Sequence, residues 1–374
     1  MRIASLRWDA FAVPLTAPFP TAHGVMRRRE GLLVRLMTED AVEGLGEASP
    51  LVDFDGATLG DNLAALEAAA PGLVGAPLAS LALCLDDLAG RPVPAALRCA
   101  LDTAALDAIG RARGRPVAEL LTDRPRASVA VNAAVGAVST ETAVEAARAL
   151  VCRGFGTIKL KVGLAESIGE EVARVAAVRA AIGPSARLRL DANGAWPVDR
   201  ARRTLDALAN FAIELVEQPT ADADALAELR RGSPIPIAAD EAVGGLEEAR
   251  RLIDASAADY LIVKPTVVGG LTVGRAIVDL ARPAGVGVIV TSAFEAGVGL
   301  AAALHLAATL PADAPACGLA TAESLAATLV RRLPAIDRGV AAVPTAPGLG
   351  VEVNESELAA HTSPPSRRGW REVG

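Results

Sequence analysis

The middle of the chain alternates short apolar runs with longer stretches in which apolar residues recur every three or four positions. The runs are "ASVAVNAAVG" (127–136), "TIKLKVG" (157–163), "RLRLDANG" (187–194), "IELVEQP" (213–219), "PIAADEA" (236–242), "YLIVKPT" (260–266), "VGVIVTSA" (286–293) and "ACGLAT" (316–321). Between them lie segments such as "ESIGEEVARVAAVRAAIG" and "PVDRARRTLDALANFA", whose period is helical. Eight short strands separated by seven helices predict a parallel sheet closed into a barrel, each strand feeding the next through a right-handed crossover.

The first 125 residues have a different pattern. "RIASLRWDAFAVPL", "EGLLVRLMTED" and "EGLGEASP" predict antiparallel strands, while "TLGDNLAALEAAAPGLV" and "PAALRCALDTAALDAIGRARG" predict helices. The expected organisation is therefore an α+β capping domain over 1–125, completed by 326–374, and a (β/α)7β barrel over 126–325. After residue 325 a helix is expected in "SLAATLVRRLP" and a strand in "GVAAVPTAPGLGVEV". The polar, Pro-rich end "HTSPPSRRGWREVG" is expected to be disordered.

Composition narrows the class. Of 374 residues 52% are apolar, with 34 Gly and 24 Pro spread along the chain, which fits a globular protein with a large core. A net charge of −7 leaves no basic surface for nucleic acid. Cys84, Cys99, Cys152 and Cys317 stand far apart, against a disulfide scaffold or a structural zinc site. The N-terminus carries charges where a signal peptide needs an apolar core, and no unbroken apolar span predicts a membrane helix. A cytoplasmic protein is expected. His23, His305 and His361 share no metal-ligand spacing, and His305 lies in the apolar "AALHLAATL" as a core residue. The glycine-rich stretches lack dinucleotide or P-loop spacing.

The informative residues are charges at the ends of apolar strands, because the C-terminal rim of such a barrel carries the active site. They are Lys161, Asp191, Glu217, Asp240 and Lys264, separated by 30, 26, 23 and 24 residues. Each interval is one strand–helix unit, so the five side chains converge on one mouth. Lys159 and Lys161 share a face of their strand, since side chains alternate with period two. Three adjacent acids repel one another unless a cation neutralises them, and carboxylates without His or Cys suit Mg2+, with Mn2+ as a substitute. Beside that cation, Lys161 is placed as a general base, with Lys159 as a neighbour that tunes it and helps neutralise a substrate carboxylate.

These residues resemble the motifs of the enolase superfamily, muconate-lactonizing subgroup: "KLK" at 159–161, "DAN" at 191–193, "EQP" at 217–219, "DE" at 240–241, "KP" at 264–265 with "GG" at 269–270, and "TSAFE" at 291–295. The resemblance covers nearly the whole length. It implies that Asp191, Glu217 and Asp240 bind Mg2+, which stabilises an enediolate after removal of an α-proton. It further implies that Lys161 and Lys264 flank a small-molecule carboxylate substrate, with Asn193 and Glu241 supporting metal and lysine. A homo-oligomer is expected.

Within the subgroup, "TAHGVMRRREGLLVRL", "GLGEASPL", "SAFEAGVGLAAALHLAA" and "ACGLATAESLAATLV" resemble o-succinylbenzoate synthases, a family of dehydratases of menaquinone biosynthesis. Those enzymes often carry a longer acidic signature after "GL-x-T", where only Glu323 stands here. Dipeptide epimerases resemble one another in an Asp-x-Asp at the eighth strand, where this chain has Ala320, Thr321 and Ala322. N-succinylamino-acid racemase needs no such anchor; muconate cycloisomerase and a catalytically dead barrel scaffold complete the alternatives. Substrate contacts are expected from a flexible loop at Thr21–Arg29 through Arg27, Arg28 and Arg29, chiefly Arg28, and from Ser292, Glu295 and Thr321, with Phe294 as packing.

Overall fold

The computed structural model describes residues 1–21, 24–81, 85, 89–90, 92–136 and 139–362. The chain opens with an antiparallel sheet of β1 (Ile3–Thr21), β2 (Gly24–Thr38) and β3 (Glu43–Ala48), in that order. Both faces of this sheet are buried, and that shapes the cap. Leu6, Trp8, Ala10, Leu32, Val34 and Leu36 pack on the cap's own helices, whereas Phe11, Val13, Leu33 and Leu45 join the core of the barrel.

The cap helices are α1 (Val52–Asp55), α2 (Leu59–Leu73), α3 (Ala95–Arg113) and α4 (Val117–Leu121). A reciprocal capping box of Thr58 and Asp61 starts α2. β3 lies so close to α3 that a Cβ at Gly44 or Gly46 would collide with the backbone carbonyl of Ala104 or Ala100.

Seven parallel strands form the barrel sheet in the order β11-β10-β9-β8-β7-β6-β5: β5 (Ala133–Val135), β6 (Thr157–Lys161), β7 (Arg187–Asp191), β8 (Ile213–Glu217), β9 (Ile237–Ala239), β10 (Tyr260–Val263) and β11 (Gly287–Val290). The helices between them are α5 (Thr140–Cys152), α6 (Ile168–Ile182), α7 (Val198–Leu208), α8 (Ala223–Arg230), α9 (Leu246–Asp254), α10 (Pro265–Val268), α11 (Leu271–Ala281) and, after β11, α12 (Gly297–Ala307). The expected eighth strand is reduced to single parallel bridges, Thr291 to Gly318 and Cys317 to Val131, which link the two edges of the sheet. Inside the barrel, Leu215, Ala238, Ile262 and Ile289 pack together. Arg189, fully buried, donates to Glu214 at 2.6 Å and to the Ala316 carbonyl at 2.7 Å.

Three local expectations are corrected. The run 127–136 is two strands, and the first, β4 (Ser128–Ala130), pairs instead with β13 (Val340–Ala342), which pairs with β12 (Ile336–Asp337). "SLAATLVRRLP" is not helical beyond a single turn ending at Ser324. Leu325 bridges Leu15 of β1, Ala326 N–H donates to the Pro14 carbonyl, Leu329 takes a positive φ of 62°, and Val330 bridges Val353. The segment Thr21–Arg29 is not an open loop: β2 begins at Gly24 and carries Arg27, Arg28 and Arg29, with Ala22 and His23 outside the described residues.

The final helix, α13 (Glu355–His361), lies against the cap, where Thr362 bridges Phe11 and Glu355 pairs with Arg35 at 2.8 Å. The tail from Ser363 and Cys84 lie outside the described residues. Among the described residues no helix is long and apolar enough to cross a membrane.

Candidate active site

Strand register builds the site. Lys161 pairs with Asp191 across β6 and β7, and Asp191 pairs with Glu217 across β7 and β8, so the three lie side by side at one level. Asp240 follows β9 by one residue and Lys264 follows β10 by one. The five strand-end charges therefore come together, and Lys159 reaches up one layer to join them. Its ammonium lies 2.9 Å from both the Asp191 and Glu217 carboxylates. Lys161 donates to Asp191 at 2.7 Å and to Asn193 Oδ1 at 2.5 Å, and Lys264 pairs with Asp240. Of the 37 basic residues in the sequence only these three are lysines, so every primary amine side chain of the protein is in this site.

Charge coupling among them is strong. Burial works against ionisation of Asp191, but the Lys159 and Lys161 ammoniums outweigh it and hold this carboxyl well below the usual range. Burial works against charge on Lys159 as well, and Asp191, Glu217 and Asp240 reverse that, raising it above an ordinary lysine. Glu217 is pushed up by burial and by repulsion from Asp191 and Asp240, against the pull of Lys159. Glu241 is pushed up to about 7 by burial and the neighbouring Asp240, with Lys264 opposing.

Two tight turns fix the acids. Asn193 and Gln218 both adopt positive φ, 45° and 37°, just after β7 and β8. The Asn193 N–H donates to Asp191 Oδ1 at 3.2 Å, while its side chain bridges Lys161 to Glu241 Oε1 at 2.8 Å. Gln218 Oε1 accepts from the Asp240 N–H at 2.8 Å, tying the second acid's turn to the third. Three buried carboxylates, with no imidazole or thiolate among the described residues that line the cavity, suit a hard divalent cation such as Mg2+. Their oxygens point to the lysines, and among the described residues no three acid, His or Cys groups gather around a single point.

Above these charges is a cavity of about 790 Å3 between barrel and cap. Of the expected contacts, Arg28, Ser292 and Thr321 line it. Arg28 is exposed and paired with Glu30 at 2.8 Å. Ser292 and Thr321 share a 2.8 Å hydroxyl contact. Glu295 does not line it: its carboxylate turns inward to accept from Ser292 Oγ at 2.8 Å and the Ala293 N–H at 2.6 Å, and so holds the turn after β11. Arg29, also at the lining, is buried and structural, donating to the Ser49, Pro50 and Phe294 carbonyls. Phe294, expected as packing, lines the cavity and belongs to none of the apolar clusters, whereas Glu323 is exposed and paired with Arg153. Among the lining residues missed by the sequence reading are Asn132 and Phe54. Asn132 stands at the start of the barrel sheet, where its polar side chain interrupting an apolar run was the available signal. Phe54 of α1 places its ring 4.3 Å from the Lys264 ammonium, and the cue was the "DFDG" turn following "GEASP".

Residues 141–357 match the family described as Enolase C-terminal domain-like, and residues 6–122 match the Mandelate racemase / muconate lactonizing enzyme, N-terminal domain. The o-succinylbenzoate synthase of Thermobifida fusca is 48% identical over 194 residues, which are 52% of this chain and 59% of that protein. The N-succinyl Arg/Lys racemase of Bacillus cereus superimposes with a TM-score of 0.91 at 25% identity, over 97% of this chain and 98% of that one. The dipeptide epimerase of Enterococcus faecalis, solved with Mg and the dipeptide L-Leu-L-Tyr, does so with a TM-score of 0.88 at 27% identity, over 94% and 100%. With cap and barrel both matched, the chain belongs to the enolase superfamily, in its mandelate racemase and muconate-lactonizing subgroup.

Proposed function

We propose that this protein is a Mg2+-dependent o-succinylbenzoate synthase, which removes water from 2-succinyl-6-hydroxy-2,4-cyclohexadiene-1-carboxylate. The observation that carries proton abstraction is the strand order. Three acid-bearing strands, β7, β8 and β9, stand between the two that carry Lys161 and Lys264, so a carboxylate held at the acids has an amine on either side. Asp191, Glu217 and Asp240 would hold the cation. When bound, it neutralises the substrate carboxylate and the charge that grows there as the α-proton leaves.

Lys161 takes that proton: the C–H bond breaks and its electron pair moves toward the carboxyl group. The same lysine, now an ammonium, returns the proton to the departing hydroxyl. The C–O bond breaks, water leaves and the ring becomes aromatic. Lys264 stays a cation on the opposite side and offsets the developing charge. Asn193 holds Lys161 in place, and Arg28, Ser292 and Thr321 stand on the cavity wall as contacts for the succinyl arm.

Choosing dehydration over epimerisation rests on the similarity to the Thermobifida fusca synthase and on the eighth strand. Ala320, Thr321 and Ala322 there supply no anion for a dipeptide ammonium. The test is the loss of diene absorbance with purified protein and Mg2+. Turnover by the wild type that vanishes in Lys161→Ala supports the synthase. An untouched substrate refutes it and leaves racemisation of N-succinyl amino acids as the reading to pursue.

A further inference from the structure

The two lysines that flank the acids have unlike surroundings. Lys161 is held by two oxygens, Asp191 Oδ2 and Asn193 Oδ1, and its side chain is 19% exposed toward the cavity. Lys264 is 9% exposed, pairs with Asp240, and has the Phe54 ring 4.3 Å from its ammonium. A phenyl face at that distance attracts a cation through its quadrupole, and more so where water is excluded.

The ring itself is anchored. α1 follows Ser49 and Pro50, whose carbonyls accept from the buried Arg29 guanidinium at 2.8 and 3.0 Å. Thr266, two residues beyond Lys264, donates its hydroxyl to the same Ser49 carbonyl at 3.4 Å. The cap thus seats Phe54 against Lys264 through contacts on both sides of the seam.

We propose that Phe54 is a positioning residue that holds the Lys264 ammonium against its ring and thereby assigns proton transfer to Lys161. This rests on the proton-abstraction reading above. Both lysines line the cavity and both have a carboxylate partner, but only Lys264 has an aromatic ring against its amine, and it is the less exposed of the two, so the ring restricts the approach of a substrate α-carbon from that side. Phe54 is then the device that makes a site with two amines act from one side, as dehydration requires and racemisation does not.

The test compares α-hydrogen exchange in D2O, with Mg2+, for the two enantiomers of N-succinylphenylalanine. Exchange breaks the C–H bond, passes the proton to a lysine amine and returns a deuteron from it, with no oxidation or reduction. Lys161→Ala and Lys264→Ala assign each enantiomer to its lysine. The wild type should exchange the Lys161-facing enantiomer faster. Phe54→Leu, which keeps bulk but removes the π face, should lower that preference by about tenfold, and Phe54→Tyr should retain it.

A second reading needs no substrate. Because the chain has three lysines, ε-13C-lysine labelling yields three side-chain signals. The Lys264 signal, identified by Lys264→Arg, should carry an upfield ring-current shift that Phe54→Leu abolishes. An unshifted signal overturns the proposal, as does an exchange preference that survives Phe54→Leu. A wild type that exchanges neither enantiomer while showing the shifted signal refutes the reaction class, and with it the assignment of faces, but not the ring contact.

Discussion

Lys161 and Asp191 are neighbours twice over: their backbones pair across β6 and β7, and the lysine ammonium lies 2.7 Å from the carboxylate. One residue is thus the candidate base and the other a candidate metal ligand, fixed relative to each other by sheet register rather than by a loop. Lys161→Ala should lower kcat by about a thousandfold, the size of a lost general base, without changing the far-ultraviolet dichroism. Lys161→Arg should not rescue it, since a guanidinium stays charged and cannot accept the proton. Steady-state kinetics of the two variants decide the point, and substantial activity in either removes Lys161 from the role.

Glu217 makes a separate test of the metal possible. Burial first, and then repulsion from Asp191 and Asp240, disfavours charge on Glu217 against the pull of Lys159, and a divalent cation that binds there should stabilise the fold by mass action. At a Mg2+ concentration a hundredfold above Kd the gain is about 2.7 kcal/mol, visible as a rise in Tm. Glu217→Gln should abolish most of that rise while leaving a folded protein. Equal Mg2+-induced shifts in both proteins would take Glu217 out of the ligand set.

What the sequence made legible follows from burial. Barrel strands are covered on both sides, so they read as continuous apolar runs, and a charge ending such a run stands out. The same logic failed where tertiary contacts override local preference. "SLAATLVRRLP" has helix-forming residues, yet its backbone is claimed by β1 at Leu325 and by Val353 at Val330. Glu295 follows β11 by five residues and its carboxylate is spent on the turn between them, which no spacing rule distinguishes from an acid facing the cavity. The "DFDG" turn marked the position of Phe54 but not its contact, which depends on Lys264, far along the chain and across the domain seam.

That seam is held in part by Glu47, which supplies from the cap what the start of α12 lacks. Its Oε1 accepts from Ser49 Oγ and the Ala296 N–H, both at 2.6 Å, and its Oε2 accepts from the Gly299 N–H at 2.8 Å. The Ala296 and Gly299 N–H groups are helix-start donors with no partner inside the helix. Glu47→Ala strands them in a buried place and should cost about 3 kcal/mol, while Glu47→Gln, which keeps the shape and one acceptor, should cost less. Urea midpoints at unchanged m-value measure both, and a loss below about 0.5 kcal/mol for the alanine variant would mean that the seam relaxes or takes up water.

The buried His305 predicts how the fold responds to acid. Its Nδ1 accepts the Ala118 N–H at 3.1 Å, so the ring proton is on Nε2, facing the Leu349 carbonyl at 3.1 Å. Burial lowers its pKa to about 4, the hydrogen bond to Leu349 opposing only in part, because a second ring proton would displace the Ala118 bond inside the core. A folded-state value below the unfolded one of about 6.5 means that the unfolded chain takes up the proton first. Stability from this group is therefore complete above about pH 6.5 and is lost as pH falls toward about 4, by about 3 kcal/mol in all. His305→Gln, which can still accept from Ala118 and donate to Leu349, should be less stable at pH 7.5 yet lose less between pH 7 and pH 4.5. Chemical denaturation of both proteins across that range is the measurement. Parallel pH profiles would show that His305 takes up its proton at the same pH folded and unfolded, and that carboxylates elsewhere govern the acid limb.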